Sequence, residues 1–126
     1  MITKFDGVSL WSSDLQNLLP FYRDILGFEV MLESPRFVIL GGAGAGLCIG
    51  SHSEVHGRPT DPHRWLIRVD SDDIQGDVAR LRAAGVEIVQ EPNPEPDGPW
   101  LATVKDPEGN LVQLNYWEPG RRPEGH

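Results

Sequence analysis

Two stretches of the chain, residues 13–30 and 72–89, repeat one pattern and constrain the fold more than any other feature of the sequence. Each reads as an acidic residue, Leu or Ile, and Gln, followed by an amphipathic segment that ends in glycine and leads into a strand-like run: SDLQNLLPFYRDILGFEV and DDIQGDVARLRAAGVEIV. Such self-similarity indicates a duplicated supersecondary unit. The chain is therefore expected to contain two copies of one small unit.

Each copy carries the signals of one helix. Asp14 and Asp73 are suited to cap the helix N-terminus, and Gly27 and Gly85 supply the stop at the other end. Between them, apolar residues recur at the spacing of a helix face: Leu15, Leu18, Leu19, Tyr22 and Leu26 in the first copy, and Ile74, Val78 and Leu81 in the second. One helix is predicted in each copy.

Strand-like runs surround both helices. One precedes each helix (FDGVSLW and RWLIRVD), and three follow each (FEVMLE, RFVILGG and GLCIG, then VEIVQE, WLATVKD and NLVQLNYW). A polar segment rich in Gly, Pro and His lies between the copies and has the composition of a surface connection. We predict a single domain of two βαβββ units, residues 1–50 and 64–118, with a linker at 51–63 and a mobile tail at 119–126.

Composition excludes several classes of function. A length of 126 residues with 39% hydrophobic content fits one domain with its own core. Asp and Glu outnumber Lys and Arg by 19 to 11, and the net charge of -8 argues against a nucleic-acid partner. No apolar run approaches the roughly 20 residues of a membrane span, and the N-terminus lacks the apolar core of a signal peptide. The single cysteine, Cys48, cannot form an internal disulfide. We expect a cytoplasmic protein without a membrane partner.

The paired units, with the motifs FYRDILGFEV, LRAAGVEIV and KDPEGNLVQL in this order, resemble the vicinal oxygen chelate superfamily of glyoxalase I, extradiol dioxygenases and bleomycin resistance proteins. The resemblance covers nearly the whole chain. It implies an α+β fold in which two βαβββ units form a curled mixed sheet with helices on its convex side. It also implies a homodimer with ligand clefts at the subunit junction. Because this fold carries several chemistries, the resemblance does not define the function.

Metal-dependent members of the family place one ligand on the first and one on the last strand of each unit. Matching the strands to the family pattern puts four residues at these positions: Gly7, Cys48, Arg64 and Gln113. The third assignment aligns Val69 with Ser12. Glycine has no donor atom, and a guanidinium opposes a bound cation. We expect Cys48 to be a small buried residue rather than a thiolate ligand, and we predict no metal and no cofactor.

Strand alternation predicts which side chains face the concave side of the sheet. Val8 and Leu10 on the first strand, and Trp65, Ile67 and Val69 on the fifth, form apolar stripes toward the helices. The opposite side and a further aromatic give the predicted ligand-binding residues: Ser9, Trp11, Cys48, Arg64, Arg68, Trp100, Gln113, Asn115 and Trp117.

Flat aromatics, amides and guanidinium groups together suit a planar or polar small molecule. The leading interpretation is metal-independent binding and sequestration of a small aromatic molecule, an antibiotic or natural product, which gives resistance without catalysis. The alternative is a lyase, isomerase or dioxygenase that uses acid/base chemistry or a displaced metal site at His52, Glu54, His63 and Gln113. Also open are a dimer-interface or core role for Trp11 and Trp117, and solvated salt bridges for the two arginines.

Overall fold

The structure is a computed structural model that describes the following residues: 1, 3, 6–41, 45–96 and 98–122. The chain divides into two compact units, Met1–Arg58 and Pro59–His126. Each unit contains one four-stranded mixed sheet and few helices, so the predicted α+β class is confirmed. Parts of three predicted segments lie outside the described residues: Phe5 of the first strand, Gly42 of the run RFVILGG, and residues 123–126 of the tail.

The first unit contains four strands, β1 (Gly7–Ser12), β2 (Glu29–Glu33), β3 (Phe37–Gly41) and β4 (Gly46–Ser51), in the spatial order β1-β4-β3-β2. β1 runs parallel to β4, and the other neighbours are antiparallel. Alternate residues of β3 and β4 are buried, which defines the core face of this sheet: Val38, Leu40, Leu47 and Ile49.

The second unit repeats this topology with β5 (Leu66–Asp70), β6 (Ile88–Pro94), β7 (Trp100–Lys105) and β8 (Leu111–Tyr116). Their spatial order is β5-β8-β7-β6, and β5 runs parallel to β8. The connection between the two parallel strands contains a helix in the second unit, which is the usual way to join parallel neighbours. The repeat in the sequence is therefore a repeat of topology.

The helix of the second copy forms as predicted. α1 (Ile74–Ala83) begins after Asp73, whose carboxylate accepts a hydrogen bond from the backbone N–H of Gly76 at 3.1 Å. It ends before Gly85, which has a φ of +86° that favours glycine. Within the part of the chain that the structure describes, neither α1 nor any other helix is long and apolar enough to span a membrane.

The helical segment of the first copy departs from the prediction. Asp14 does cap it, accepting a hydrogen bond from the backbone N–H of Gln16 at 3.0 Å. The backbone then forms a 3₁₀ turn (Leu15–Asn17) and a π-helical segment (Pro20–Ile25) instead of one α-helix. Proline lacks a backbone N–H and its ring crowds the preceding turn, which interrupts a regular hydrogen-bond ladder. The prediction of one continuous helix here is wrong because Pro20 lies inside it.

The predicted apolar stripe of the fifth strand is wrong at its first residue. Trp65 precedes β5 and is 81% exposed, so the stripe that packs against the interior begins at Ile67. Arg64 also lies outside the strand, in a 3₁₀ turn (Pro62–Arg64). Its guanidinium lies 3.3 Å from the carboxylate of Asp61, and both side chains are well exposed. Arg64 therefore has the solvated ion pair that was the alternative to a concave-face position.

A buried aspartate organises the turn that leads into β8. One carboxylate oxygen of Asp106 accepts hydrogen bonds from the backbone N–H groups of Glu108 and Asn110, both at 2.9 Å. The other accepts from the side-chain amide of Asn110 at 2.8 Å. These bonds fix where β8 starts, and with it the register in which Gln113 pairs with Arg68.

Candidate functional site

The first unit has a concavity of about 340 Å³ on the sheet face opposite its buried stripe. Ser9 and Cys48 are register partners on β1 and β4, and both line it together with Ile39 and Met31. Much of the remaining lining is backbone at three glycines: Gly7, Gly41 and Gly46. The structure thus brings two predicted site residues, Ser9 and Cys48, to one shallow surface with an open backbone floor.

Gly7 marks the closest approach of β1 to β4. A Cβ atom built on Gly7 would lie 2.1 Å from the carbonyl oxygen of Gly46, far inside van der Waals contact. The obstacle is backbone, so it cannot rotate away as a side chain would. This strand spacing therefore leaves no room for a side chain at Gly7, including one that could donate to a metal.

Trp11 lies on the same face, toward the other end of β1. It is the register partner of Gly50, where an added Cβ would come within 2.3 Å of the indole Cζ3 atom. The indole therefore rests on the glycine backbone. Its ring centroid is 5.7 Å from that of His52 in an edge-on arrangement. With 39% of its surface exposed, Trp11 is a supported aromatic that remains open to a ligand.

The second unit presents a polar group on β5 and β8. A guanidinium nitrogen of Arg68 donates to the side-chain oxygen of Asn115 at 3.5 Å. The amide nitrogen of Asn115 donates to the backbone oxygens of Val69 and Gln113, both at 3.3 Å. Asn115 is buried and both of its amide hydrogens are engaged, so it holds the position of Arg68 and has no free donor for a ligand. The half-buried side chain of Gln113 has no hydrogen-bond partner within the described residues.

Trp100 lies on the opposite face of this sheet from Gln113. It pairs with Tyr116, and both line a second cavity beside the start of α1. Gln113 pairs with Thr103, an odd number of residues along β7 from Trp100, and alternate residues of a strand face opposite sides. A shared wall of Trp100 and Gln113 is therefore not what the structure shows. The alternation in WLATVKD already groups Trp100 with the buried Ala102, a signal available in the sequence.

Trp117 lies just beyond the end of β8. The guanidinium carbon of Arg122 lies 6.0 Å from the centroid of its ring, within reach of a cation–π contact. One contact of this residue is therefore made within its own unit.

Two serines, one at the end of β1 and one just after β5, show which residues of the two sequence copies correspond to each other. The Ser12 hydroxyl accepts a hydrogen bond from the backbone N–H of Asp14 at 3.0 Å, and the Ser71 hydroxyl accepts one from that of Asp73 at 3.1 Å. Because both serines support the capping aspartate that follows, Ser71 is the counterpart of Ser12. The alignment of Val69 with Ser12 is therefore wrong by two residues.

The corrected alignment changes the third family metal position. Gly7 pairs with the residue two before Cys48, and Leu66 pairs with the residue two before Gln113. Leu66, not Arg64, is thus the counterpart of Gly7. The four positions hold a glycine, a thiol, a leucine and an amide, which do not make a divalent metal site.

The displaced metal set takes His52 and Glu54 from the first unit and His63 and Gln113 from the second. The Nδ1 atom of His52 accepts a hydrogen bond from the backbone N–H of Glu54 at 3.1 Å, so that nitrogen is engaged locally. His63 belongs to the other compact unit. Across the described ranges, no group of three or more His, Cys, Asp or Glu side chains is positioned to hold a metal ion.

Solved structures share this fold across nearly the whole chain. TnmS3, an antibiotic binding protein from Streptomyces sp. CB03234, is 26% identical with a TM-score of 0.72, covering 93% of this chain and 98% of that one. TioX from Micromonospora sp. ML1 is 22% identical with a TM-score of 0.71, covering 90% and 98%. Lactoylglutathione lyase from Agrobacterium tumefaciens is 20% identical with a TM-score of 0.71, covering 95% and 96%.

Sequence comparison agrees with the fold. Virulence protein STM3117 of Salmonella typhimurium is 27% identical over 127 residues, which cover 93% of this chain and 86% of the relative. The family model described as Glyoxalase/Bleomycin resistance protein/Dioxygenase superfamily matches residues 4–114. The chain therefore belongs to the glyoxalase/bleomycin resistance protein/dioxygenase superfamily.

Proposed function

We propose that this protein binds a small aromatic molecule, an antibiotic or similar natural product, without a metal and without changing it chemically. The observation that carries the proposal is the replacement of metal donors on both first strands, by Gly7 and Leu66, on a scaffold that retains an exposed and supported indole at Trp11. Sequestration of this kind lowers the free concentration of a toxic compound and so protects the cell.

Trp11 is suited to stacking against a planar ligand. Its indole is held from beneath by the backbone of Gly50 and at its edge by His52. A preorganised ring loses little rotamer freedom when a ligand stacks on it, so more of the contact energy appears as affinity. The glycine-floored concavity with Ser9 and Cys48 on the same sheet face accepts flat groups without side-chain clashes.

The comparison with TnmS3 supports the same class of function. That protein is an antibiotic binding protein, and the 26% identity extends over 93% of this chain. Lactoylglutathione lyase shares 20% sequence identity with this chain, and that similarity concerns the fold alone. The donor chemistry at the four family positions separates this chain from a metal-dependent lyase.

The test is a titration of the protein with a panel of aromatic antibiotics, in which binding is monitored by intrinsic tryptophan fluorescence. A bound compound should quench the fluorescence, and Trp11→Ala should weaken binding by about 1–3 kcal/mol, the range for a stacked aromatic anchor. Trp65→Ala is the matched control, because it removes the same side chain from a position that is 81% exposed. It should leave the affinity unchanged, and thermal melts of both variants should exclude misfolding.

Gln113→Ala separates binding from catalysis. For a binding protein the change should cost about 0.5–1.5 kcal/mol of affinity at most, because water partly replaces one neutral hydrogen bond. For an enzyme that uses Gln113 as a ligand or catalytic group, turnover would disappear while substrate binding persisted. The proposal is wrong if no aromatic compound shifts the melt or the fluorescence and Gln113→Ala abolishes a measurable conversion of some small substrate.

A further inference from the structure

We propose that the cavity beside the start of α1 is a second ligand site and that it binds a small organic cation of the alkylammonium type. This cavity has a volume of about 640 Å³, within the range of small-molecule sites. Its chemically distinctive lining consists of two aromatic and three acidic residues: Trp100, Tyr116, Asp72, Asp73 and Glu118. It lies on the sheet face opposite Gln113 and is independent of the function proposed for Trp11.

The aromatic wall comes from neighbouring strands. Trp100 on β7 and Tyr116 on β8 are register partners, so both side chains project to the same face at the same level. Both are partly exposed and both line the cavity. The faces of tryptophan and tyrosine carry negative electrostatic potential and attract cations, and quaternary ammonium groups are recognised by such walls.

The acidic residues leave negative charge at this wall. The Asp72 side chain is exposed and has no hydrogen bond or ion pair within the described residues. One carboxylate oxygen of Glu118 accepts a hydrogen bond from the indole N–H of Trp100 at 3.2 Å, which orients the ring. The other lies 4.0 Å from the guanidinium of Arg121, an exposed pair that neutralises little. Among the described residues that line the cavity, none is Lys or Arg.

The helix N-terminus does not reverse this preference. A free N-terminus would favour an anion, because its unpaired N–H groups carry positive partial charge. Here the carboxylate of Asp73 already accepts the hydrogen bond from Gly76, and Asp77 adds a second acid in the first turn. The local electrostatic potential is therefore negative, and the overall charge of -8 favours the approach of cations.

The lining selects an organic cation over a bare metal ion. Hard divalent cations require several oxygen donors that converge on one point. No such group of carboxylates occurs in the ranges that the structure describes. A wide cavity with an aromatic wall and dispersed carboxylates instead suits a large, weakly hydrated ammonium group.

The experiment is a titration with choline, in which binding is monitored by the indole N–H signals in ¹H–¹⁵N NMR spectra. Trp100→Phe identifies the Trp100 signal by its loss. Choline should shift this signal saturably and leave the Trp11 signal in place. The neutral analogue 3,3-dimethyl-1-butanol has carbon in place of the charged nitrogen and should cause no saturable shift. Equal shifts with both compounds, or no shift with choline, would overturn the proposal.

Charge and ring variants complete the test. Asp72→Asn and Tyr116→Leu should each weaken choline binding about 5-fold or more, as expected for loss of about 1 kcal/mol of charge or cation–π attraction. Glu29→Gln is the control, because it changes the net charge equally at an exposed residue of the first unit. If Glu29→Gln weakens binding as much as Asp72→Asn does, the attraction is only general charge and the site does not exist. Phosphocholine should bind more weakly than choline, because its phosphate meets the acidic lining. The Trp11→Ala variant should lose antibiotic binding and still bind choline. The proposal for Trp11 and the proposal for this cavity can therefore fail independently.

Discussion

Two glycines shape the sheet face of the first unit that lies opposite its buried stripe, each through the absence of a Cβ atom. Gly50 provides the surface on which the Trp11 indole rests, and Gly7 lets β1 approach the backbone of Gly46. Gly7 has two effects at the first family metal position. It offers no donor atom, and it lets β1 lie so close to β4 that a larger side chain has no room. Restoring histidine at Gly7 would therefore require a shift of β1 as well as a change of side chain.

Gly7→Ala should destabilise the protein by about 1–3 kcal/mol, the range for forced overpacking against a rigid neighbour. The reason is the 2.1 Å approach of the new Cβ to the Gly46 oxygen. Gly41→Ala is the control in the same sheet, because the nearest atom to its Cβ would lie at an ordinary 3.4 Å. Urea unfolding followed by circular dichroism should show a lower midpoint for Gly7→Ala only. Equal midpoints for the two variants would show that β1 relaxes freely.

Both units begin their helical segments with the same device, a serine that supports a capping aspartate. The hydroxyls of Ser12 and Ser71 accept equivalent hydrogen bonds from the backbone N–H groups of Asp14 and Asp73. The caps themselves differ, because Asp14 accepts from the residue two positions on and Asp73 from the residue three positions on. In the second unit, the Asp73 carboxylate occupies the space above Gly76, where a Cβ would lie 2.2 Å from a carboxylate oxygen. A glycine inside α1 is thus tied to its cap.

Gly76→Ala tests this coupling. In an ordinary helix, alanine in place of glycine stabilises by roughly 0.5–1 kcal/mol. Here the methyl group should displace the Asp73 carboxylate and lose a cap worth about 1 kcal/mol, so the net gain should vanish. In an Asp73→Ala background the same change should recover its full stabilisation. A double-mutant cycle from urea unfolding measures the difference, and strict additivity would contradict the coupling.

The sequence predicts the elements better than it predicts their alignment. The order of the strands and the Asp73 cap follow from periodicity and turn residues, whereas Pro20 shows that an amphipathic pattern does not guarantee an α-helix. The assignment of Arg64 for Leu66 is a shift of two residues. Because strand side chains alternate with a period of two, such a shift leaves the predicted face unchanged and alternation cannot detect it. The repeat that matches Asp14 with Asp73 already sets Ser71 opposite Ser12, and the hydrogen bonds of the two serines confirm this alignment.

Trp100 and Gln113 lie on opposite faces of the sheet for a different reason. The aromatic character of Trp100 suits a binding surface, but the sheet face on which it lies depends on the strand register that pairs it with Tyr116. The choice between the two faces was readable from the buried alanine and valine that alternate with it. Residue type alone therefore proposes a binding residue without giving the sheet face on which it lies.

The whole molecule should carry no stoichiometric divalent metal after extensive dialysis. This prediction follows from the donor set at the four family positions, where only the thiol of Cys48 and the amide of Gln113 offer an atom for coordination. Elemental analysis by mass spectrometry should give well below one metal per chain. About one Zn, Fe, Mn or Ni per chain would contradict it and favour the enzyme interpretation.

The assembly state is the second property of the whole molecule, and we predict a homodimer. The edge strands of the first sheet, β1 and β2, expose apolar side chains, among them Met31 at 58% and Leu32 at 51%. Exposed apolar edge strands tend to associate with other chains, because they present unpaired backbone groups and apolar surface. A second copy of the chain meets both needs, and two-fold pairing is the commonest closed arrangement.

Light scattering at micromolar concentration should give about twice the 14.0 kDa of one chain. The double change Met31→Glu and Leu32→Glu should shift the mass toward the monomer, because it places charge on the apolar edge that a partner would have to desolvate. Trp65→Ser is the control, since it removes an exposed aromatic that does not belong to an edge strand. It should leave the mass at the dimer value. A monomeric mass for the unmodified chain would refute the dimer, and would require those apolar edges to be tolerated in water or covered within one chain.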